Sequence, residues 1–212
     1  MADTALYDRT GGKRARSKAA NRRAILDAAR GVFARSGYEA TTVRDIIRET
    51  ELAAGTFYNY FKSKEEVFEA IAADSTERFR ERLGKVRSNA TSFEDYVRVG
   101  YLAYFQFLYE ENCEAIEQDA PPLALIGVRV DTPEMQAVFE EIRTDLEHAI
   151  LSGEAAHIDT EYLTAAVVGS AREMGDHMSK RRPMDGDSAA DFATRMLLAG
   201  VREMLTDEDC CK

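Results

Sequence analysis

The stretch "GTFYNYFKSKEE", Gly55 to Glu66, sets four aromatic rings within five consecutive positions: Phe57, Tyr58, Tyr60 and Phe61. A helix advances about 100° per residue and turns a single stripe toward a core, so these rings cannot all be buried. Phe57 and Phe61 fall on one side with Tyr60 at their flank, while Tyr58 and Asn59 point away. The spacing predicts Phe57 and Phe61 as core and the Tyr58–Asn59 pair as an outward display. Ala54, Gly55 and Thr56 ahead of them are small and let a helix end approach another surface closely.

Immediately upstream, "TTVRDIIRET" opens with Thr42 three residues before Asp45, a capping-box pattern, and repeats Val43, Ile46 and Ile47 at helical spacing. A break at Glu51-Leu52-Ala53 separates the two segments. Before them, a helix from about Ser17 to Ser36 places Ile25, Ala28, Ala29, Val32 and Phe33 on one face, and Gly37 ends it. Two short helices joined by a tight turn, behind an amphipathic helix, describe a helix-turn-helix. Ser63 with Glu66 then opens a longer helix carrying Val67, Phe68, Ile71 and Phe79.

Charge divides the chain in the same place. Residues 1–64 hold 13 Lys and Arg against 7 Asp and Glu, a net of +6, which leaves −16 for the rest of a chain whose total is −10. A basic front on an acidic body fits a polyanion-binding module joined to one with a different task. Each display residue suits duplex DNA. Arg44 can reach a guanine edge or a phosphate, and Thr56 a thymine methyl or a phosphate. Asn59 carries the donor–acceptor pair that reads adenine and can equally bond a phosphate. Tyr58, Tyr60 and Lys64 suit backbone oxygens.

Residues 18–66, above all "TTVRDIIRETELAAGTFYNYFKSKEEVFEAI", closely resemble the DNA-binding domain of the TetR family of bacterial transcriptional regulators. By position, the resemblance implies base or backbone contacts from Arg44, Gly55, Thr56, Tyr58 and Asn59, and phosphate contacts from Thr42, Tyr60 and Lys64. It further implies an all-α chain with a helical ligand-binding and dimerisation domain after the reading head. The expected division is a flexible basic arm over 1–17, the helix-turn-helix domain over 18–64, the helical body over 65–206 and a tail over 207–212. The expected function is a ligand-responsive regulator, a repressor released from a palindromic double-stranded operator by a small, largely apolar effector.

The body's own residues permit this. Helices are expected from about Ser92 to Glu111, Thr132 to Leu151, Asp159 to before Pro183, and Ser188 to Leu205. "YLAYFQFLY" carries more aromatic surface than one stripe needs, so Tyr104, Phe105 and Leu108, with Met135, Phe139 and Met174, are the expected pocket lining. Ordinary core is the competing reading for each of them. Ala165, Ala166 and Gly169 give one helix a small-residue face, expected at a homodimer interface or in tight packing within one subunit. One recognition helix reads few base pairs, which independently favours a two-fold dimer.

Other classes fare worse. Cys113, Cys210 and Cys211 lack metal-ligand spacing and form no disulfide framework. A redox- or metal-responsive regulator acting through them is the alternative kept. His148, His157 and His177 share no catalytic or metal spacing, and Arg129 reads as a salt-bridge partner. Asp185-Gly186-Asp187 reads as an interhelical turn, and the "GGK" of the arm lacks the context of a phosphate loop. No nucleophile–base pair, metal cluster or cofactor motif marks an enzyme, and a helical adaptor is the third class. No metal or cofactor is expected. The N-terminus lacks the apolar run of a signal peptide and no segment has the length of a membrane span, so a cytoplasmic protein is expected.

Overall fold

The computed structural model describes residues 4–117, 132–151 and 158–206, all of them helices and their connections, with no strand among them. The helices are α1 (Thr4–Ser36), α2 (Val43–Arg48), α3 (Ala54–Tyr58), α4 (Lys64–Arg87), α5 (Phe93–Glu117), α6 (Pro133–Leu151), α7 (Thr160–Ser179) and α8 (Gly186–Thr206). None is both long and apolar enough to cross a membrane. Pro121, Pro122, Arg129, His157, Cys210, Cys211 and the 207–212 tail lie outside the described residues, as does the side chain of Cys113.

Buried side chains form two clusters. The first joins Ile25, Leu26, Ala29 and Phe33 of α1 to Ile46 of α2, Phe57 of α3, Phe61, and Val67 and Ile71 of α4. The second joins Phe79 and Leu83 of α4 to the inner faces of α5, α6, α7 and α8. α4 therefore serves both cores, and the packing of the head runs past Lys64. Ion pairs reinforce α4 on each side. Arg30 of α1 pairs with Asp74, Arg78 forks onto Glu111 of α5 at 2.7 and 2.9 Å, and Arg80 reaches Glu141 of α6 at 2.6 Å.

Local signals explain most boundaries. Gly37 ends α1 with φ of +76°, a conformation an L side chain rarely adopts, and its N–H donates to the Phe33 carbonyl at 2.9 Å. Thr42 and Asp45 form the full reciprocal capping box, and the hydrogen bonds from Thr42 hold the Asp45 carboxyl below its ordinary range. Ser63 caps α4 by accepting from Glu66 N–H, while the Glu66 carboxylate accepts from Lys62 N–H at 2.7 Å. Thr132 accepts from Met135 N–H at the start of α6, and Asp159 caps α7.

Two boundaries depart from expectation. α1 starts at Thr4 rather than near Ser17, so the segment expected to be a flexible arm continues the helix. Arg14 to Ala20 are all exposed, so backbone hydrogen bonds, and not packing, hold that stretch. α8 starts at Gly186, ahead of Ser188. The reason is Asp185, whose carboxylate accepts from the Ser188 N–H at 2.9 Å and its hydroxyl at 2.6 Å, so that Asp185 and not Ser188 sets the start of the helix.

Candidate functional site

α2 and α3 pack on α1 and α4 through Ile46 and Phe57, which are 0% and 1% exposed. Phe61, just beyond α3, is buried with them, and its ring lies 6.2 Å from that of Phe57. This anchoring fixes which way the next residues face. Tyr58 is 58% exposed, with its ring edge-on to Phe57 at 5.4 Å, and Asn59 at the end of α3 is exposed beside it. Arg44, in the first turn of α2, is exposed with no ion-pair partner among the described residues. These three make an outward patch with donors, acceptors and a free positive charge. Exposed Arg22, Arg23, Arg48 and Lys62 lie on the same small head, whose charge excess suits phosphate.

The start of α3 is bare. Ala53 at its cap offers no side-chain acceptor, which leaves the first amide donors for an outside partner. A Cβ added at Gly55 would meet no atom within 4 Å. Packing within the subunit thus gives no reason for glycine there, whereas close approach of another body does. Thr56 and Tyr60 are half-buried, and Tyr60 packs against the head core with its ring.

Two expected phosphate contacts have internal duties as well. The Thr42 hydroxyl donates to Asp45 at 2.6 Å and accepts from its N–H. Lys64 donates its ammonium to the carbonyls of Tyr38 at 2.9 Å and Glu39 at 3.2 Å and sits 4.4 Å from the centre of the Tyr38 ring. It pins the loop between α1 and α2, with one of its three N–H donors left over. Sequence spacing could not reveal this, because the partners are backbone oxygens 25 and 26 positions away. The Tyr38 ring in turn stacks among Phe33 and Phe68 at 5.5 and 4.5 Å, and burial first, then Glu65, raises its hydroxyl above the ordinary range.

In the body, a cavity of about 60 Å³ lies between α4, α5, α6 and α7. Of the expected lining, Tyr104 and Met135 face it. The others are placed elsewhere. Phe105 and Leu108 are 0% exposed core residues. Phe105 meets the start of α8 and Leu108 abuts Gly175, where an added Cβ would come within 2.5 Å of it. Phe139 is on the surface, and Met174 lines a separate cleft with Phe192. The walls instead come from residues such as Phe79, Leu83, Val97, Tyr101, Ile142 and Val168. An aromatic run on one helix shows the surplus of rings but not which neighbour each ring meets.

Ala165, Ala166 and Gly169 are exposed on α7. Around them lie large apolar side chains that sequence reading passed over: Tyr162 at 78%, Phe192 at 62%, Met204 at 56% and Met196 at 47% exposure. Their spacing on α8, four and eight residues apart, was the available signal. His177 is exposed and pairs with Glu173, His148 is exposed, and no group of three or more His, Cys, Asp or Glu could hold a metal among the described residues.

Residues 25–71, which hold nearly all of the first core and the whole outward patch, match the family model of bacterial regulatory proteins of the tetR family. The chain is 26% identical over 154 residues to the uncharacterised HTH-type transcriptional regulator YhgD of Bacillus subtilis, a match covering 68% of this chain and 76% of that one. It is 30% identical over 98 residues to the HTH-type transcriptional repressor KstR2 of Mycolicibacterium smegmatis, 46% of this chain and 48% of the relative, so this likeness spans about half of either protein. The solved transcriptional regulator FadR of Bacillus subtilis, in complex with stearoyl-CoA, superimposes with a TM-score of 0.69 at 21% identity, over 84% of this chain and 97% of that one. With the helix-turn-helix seated as described, residues 25–71 carry the DNA-binding domain of the tetR family of bacterial regulatory proteins, and the fold of the helical body behind it is shared with the solved regulator FadR.

Proposed function

We propose that this protein is a cytoplasmic homodimeric repressor, released from a palindromic DNA operator by a small, largely apolar effector. The observation that carries the reading is the outward patch of Arg44, Tyr58 and Asn59, held rigid by buried Ile46 and Phe57. α3 enters the major groove end-on. Gly55 and the uncapped amides allow close approach, Arg44 and Asn59 meet base edges or phosphates, and Tyr58 meets the backbone. Arg22, Arg23 and the exposed start of α1 follow the phosphates.

The body supplies the second copy and the switch. The α7–α8 face of Tyr162, Ala166, Phe192, Met196 and Met204 is large and apolar, as a subunit interface requires. Paired through it, two heads sit on one side of the dimer and read half-sites about one turn of DNA, or a multiple of it, apart. The effector enters between α4, α5, α6 and α7. The cavity there is smaller than the roughly 150 Å³ that accepts benzene, so an effector must spread its walls. A spread cavity moves α4, and α4 also carries Val67, Ile71 and Asp74 of the head. The effector lowers operator affinity by no more than its preference for the spread state.

The dimer reading has a direct test in Phe192→Glu with Met196→Glu, a charge placed twice in an apolar interface. Sedimentation should show a monomer with a folded head, and operator affinity should fall by about a hundredfold or more, because half-site binding loses the second set of contacts. A double variant that still sediments as a dimer would overturn this assignment.

A further inference from the structure

The apolar cavity has a charged neighbour. One helical turn beyond it, a second cleft lies between the end of α4, the start of α5 and α6, lined by Arg87, Ser92, Phe93, Asp145 and Ala149. Tyr96 lines both spaces, so its ring is their common wall. Arg87 follows Leu83 by one turn of α4, and Asp145 follows Ile142 on α6, so both project from helices that also wall the cavity.

The charges at this cleft are unequally occupied. Both oxygens of Glu141 are taken, one by Arg80 at 2.6 Å and the other by Arg87 at 3.1 Å. Asp145 Oδ2 lies 2.5 Å from Arg87 Nε. Burial first, and then the charge of Asp145, holds the Tyr96 hydroxyl above its ordinary range, so it stays a proton donor at neutral pH. Arg87 spends Nη1 on Glu141, while its Nε, although close to Asp145, is buried and makes no hydrogen bond, which leaves the Nε–H and the N–H pair on Nη2 for another acceptor. The acids are occupied, whereas the guanidinium has donors to spare.

We propose that the effector is an amphiphile whose apolar chain fills the cavity and whose anionic end is bound by Arg87, with Tyr96 as the gate between the two compartments. This rests on the reading of the cavity as the effector site. Arg87 is then the residue that determines the head group. An incoming carboxylate or phosphate competes with Asp145 and Glu141 for it, and loosening that ion pair frees the end of α4 from α6. Entry of the chain and release of α4 are thereby coupled at one side chain.

Titration calorimetry of the full-length dimer with dodecanoate, dodecanoyl-CoA, dodecanol and dodecyltrimethylammonium tests this. The expected result is that an anionic probe binds about tenfold or more tighter than dodecanol, the effect of one charge-assisted hydrogen-bonded pair. Arg87→Met should level that difference and Arg87→Lys should keep part of it. Asp145→Asn, which removes the competing carboxylate, should tighten the anionic probe. Preference for dodecanoate or for dodecanoyl-CoA distinguishes a free carboxylate from the phosphates of a carrier, and either supports the proposal. Equal affinity for dodecanoate, dodecanoyl-CoA and dodecanol, or tightest binding of dodecyltrimethylammonium, overturns it. Ala171→Phe, which fills the cavity, separates the two levels. If it abolishes binding of whichever probes bind, the cavity is still the effector site and only the anionic head is wrong. If it changes nothing, or no probe binds, the cavity reading fails as well.

Discussion

Arg44→Ala and Tyr58→Ala should each weaken operator binding by about thirtyfold or more while leaving the fold unchanged. Arg44 is exposed without an ion-pair partner among the described residues and Tyr58 touches the core only by its edge contact with Phe57, so neither removal leaves a buried polar partner stranded. The expected loss is about 1–3 kcal/mol for each contact, and a dimer loses it at both half-sites. The two variants should differ in kind. If Arg44 meets a base edge, its loss relaxes preference at one position of the site. Loss of a Tyr58 phosphate contact weakens all sequences alike. Gel-shift titration against specific and scrambled duplexes separates these, and unchanged affinity in both variants would mean that this face does not meet DNA.

Phe57→Ala should act through stability instead. Phe57 is 1% exposed, and α3, five residues long with no side-chain cap, is held by this ring and little else. Truncation of a fully buried Phe costs about 3–5 kcal/mol, a large share of what a small domain has. Because the head has its own core, separate from that of the body, hydrogen exchange should show α2 and α3 losing protection while α5 to α8 keep theirs. Operator binding should vanish with it. A variant whose α3 amides stay as protected as in the wild type would show that the anchor lies elsewhere.

Much of the head was legible in the sequence because its determinants are local. The Phe57–Phe61 spacing, the Thr42–Asp45 box and Gly37 each act within a few residues, and each took the expected place. Lys64 is the opposite case: its carbonyl partners are remote in the chain, and a surface lysine in a first turn looks the same whether or not it also holds its own backbone. The body was legible as helices but not as a site. Tyr104 and Met135 reached the cavity, while Phe105 and Leu108 went into core against α8 and α7, since the choice between adjacent faces of α5 depends on where four other helices lie. Arg87 and Tyr96 were invisible because neither is part of a motif, and their meaning arises only where α4, α5 and α6 converge. The exposed start of α1 was read as an arm because it has no apolar stripe, and the structure extends the helix without one.

On the proposed function, the Arg44–Tyr58–Asn59 patch is presented twice, by one dimer, to one DNA duplex. Genomic fragments retained by the purified protein, footprinted after selection, test it directly. Two protected half-sites related by a dyad are expected, with centres about one helical turn or a multiple of it apart, and with protection lost in Tyr58→Ala. Fragments that share no dyad, or a footprint unaffected by Tyr58→Ala, would contradict it.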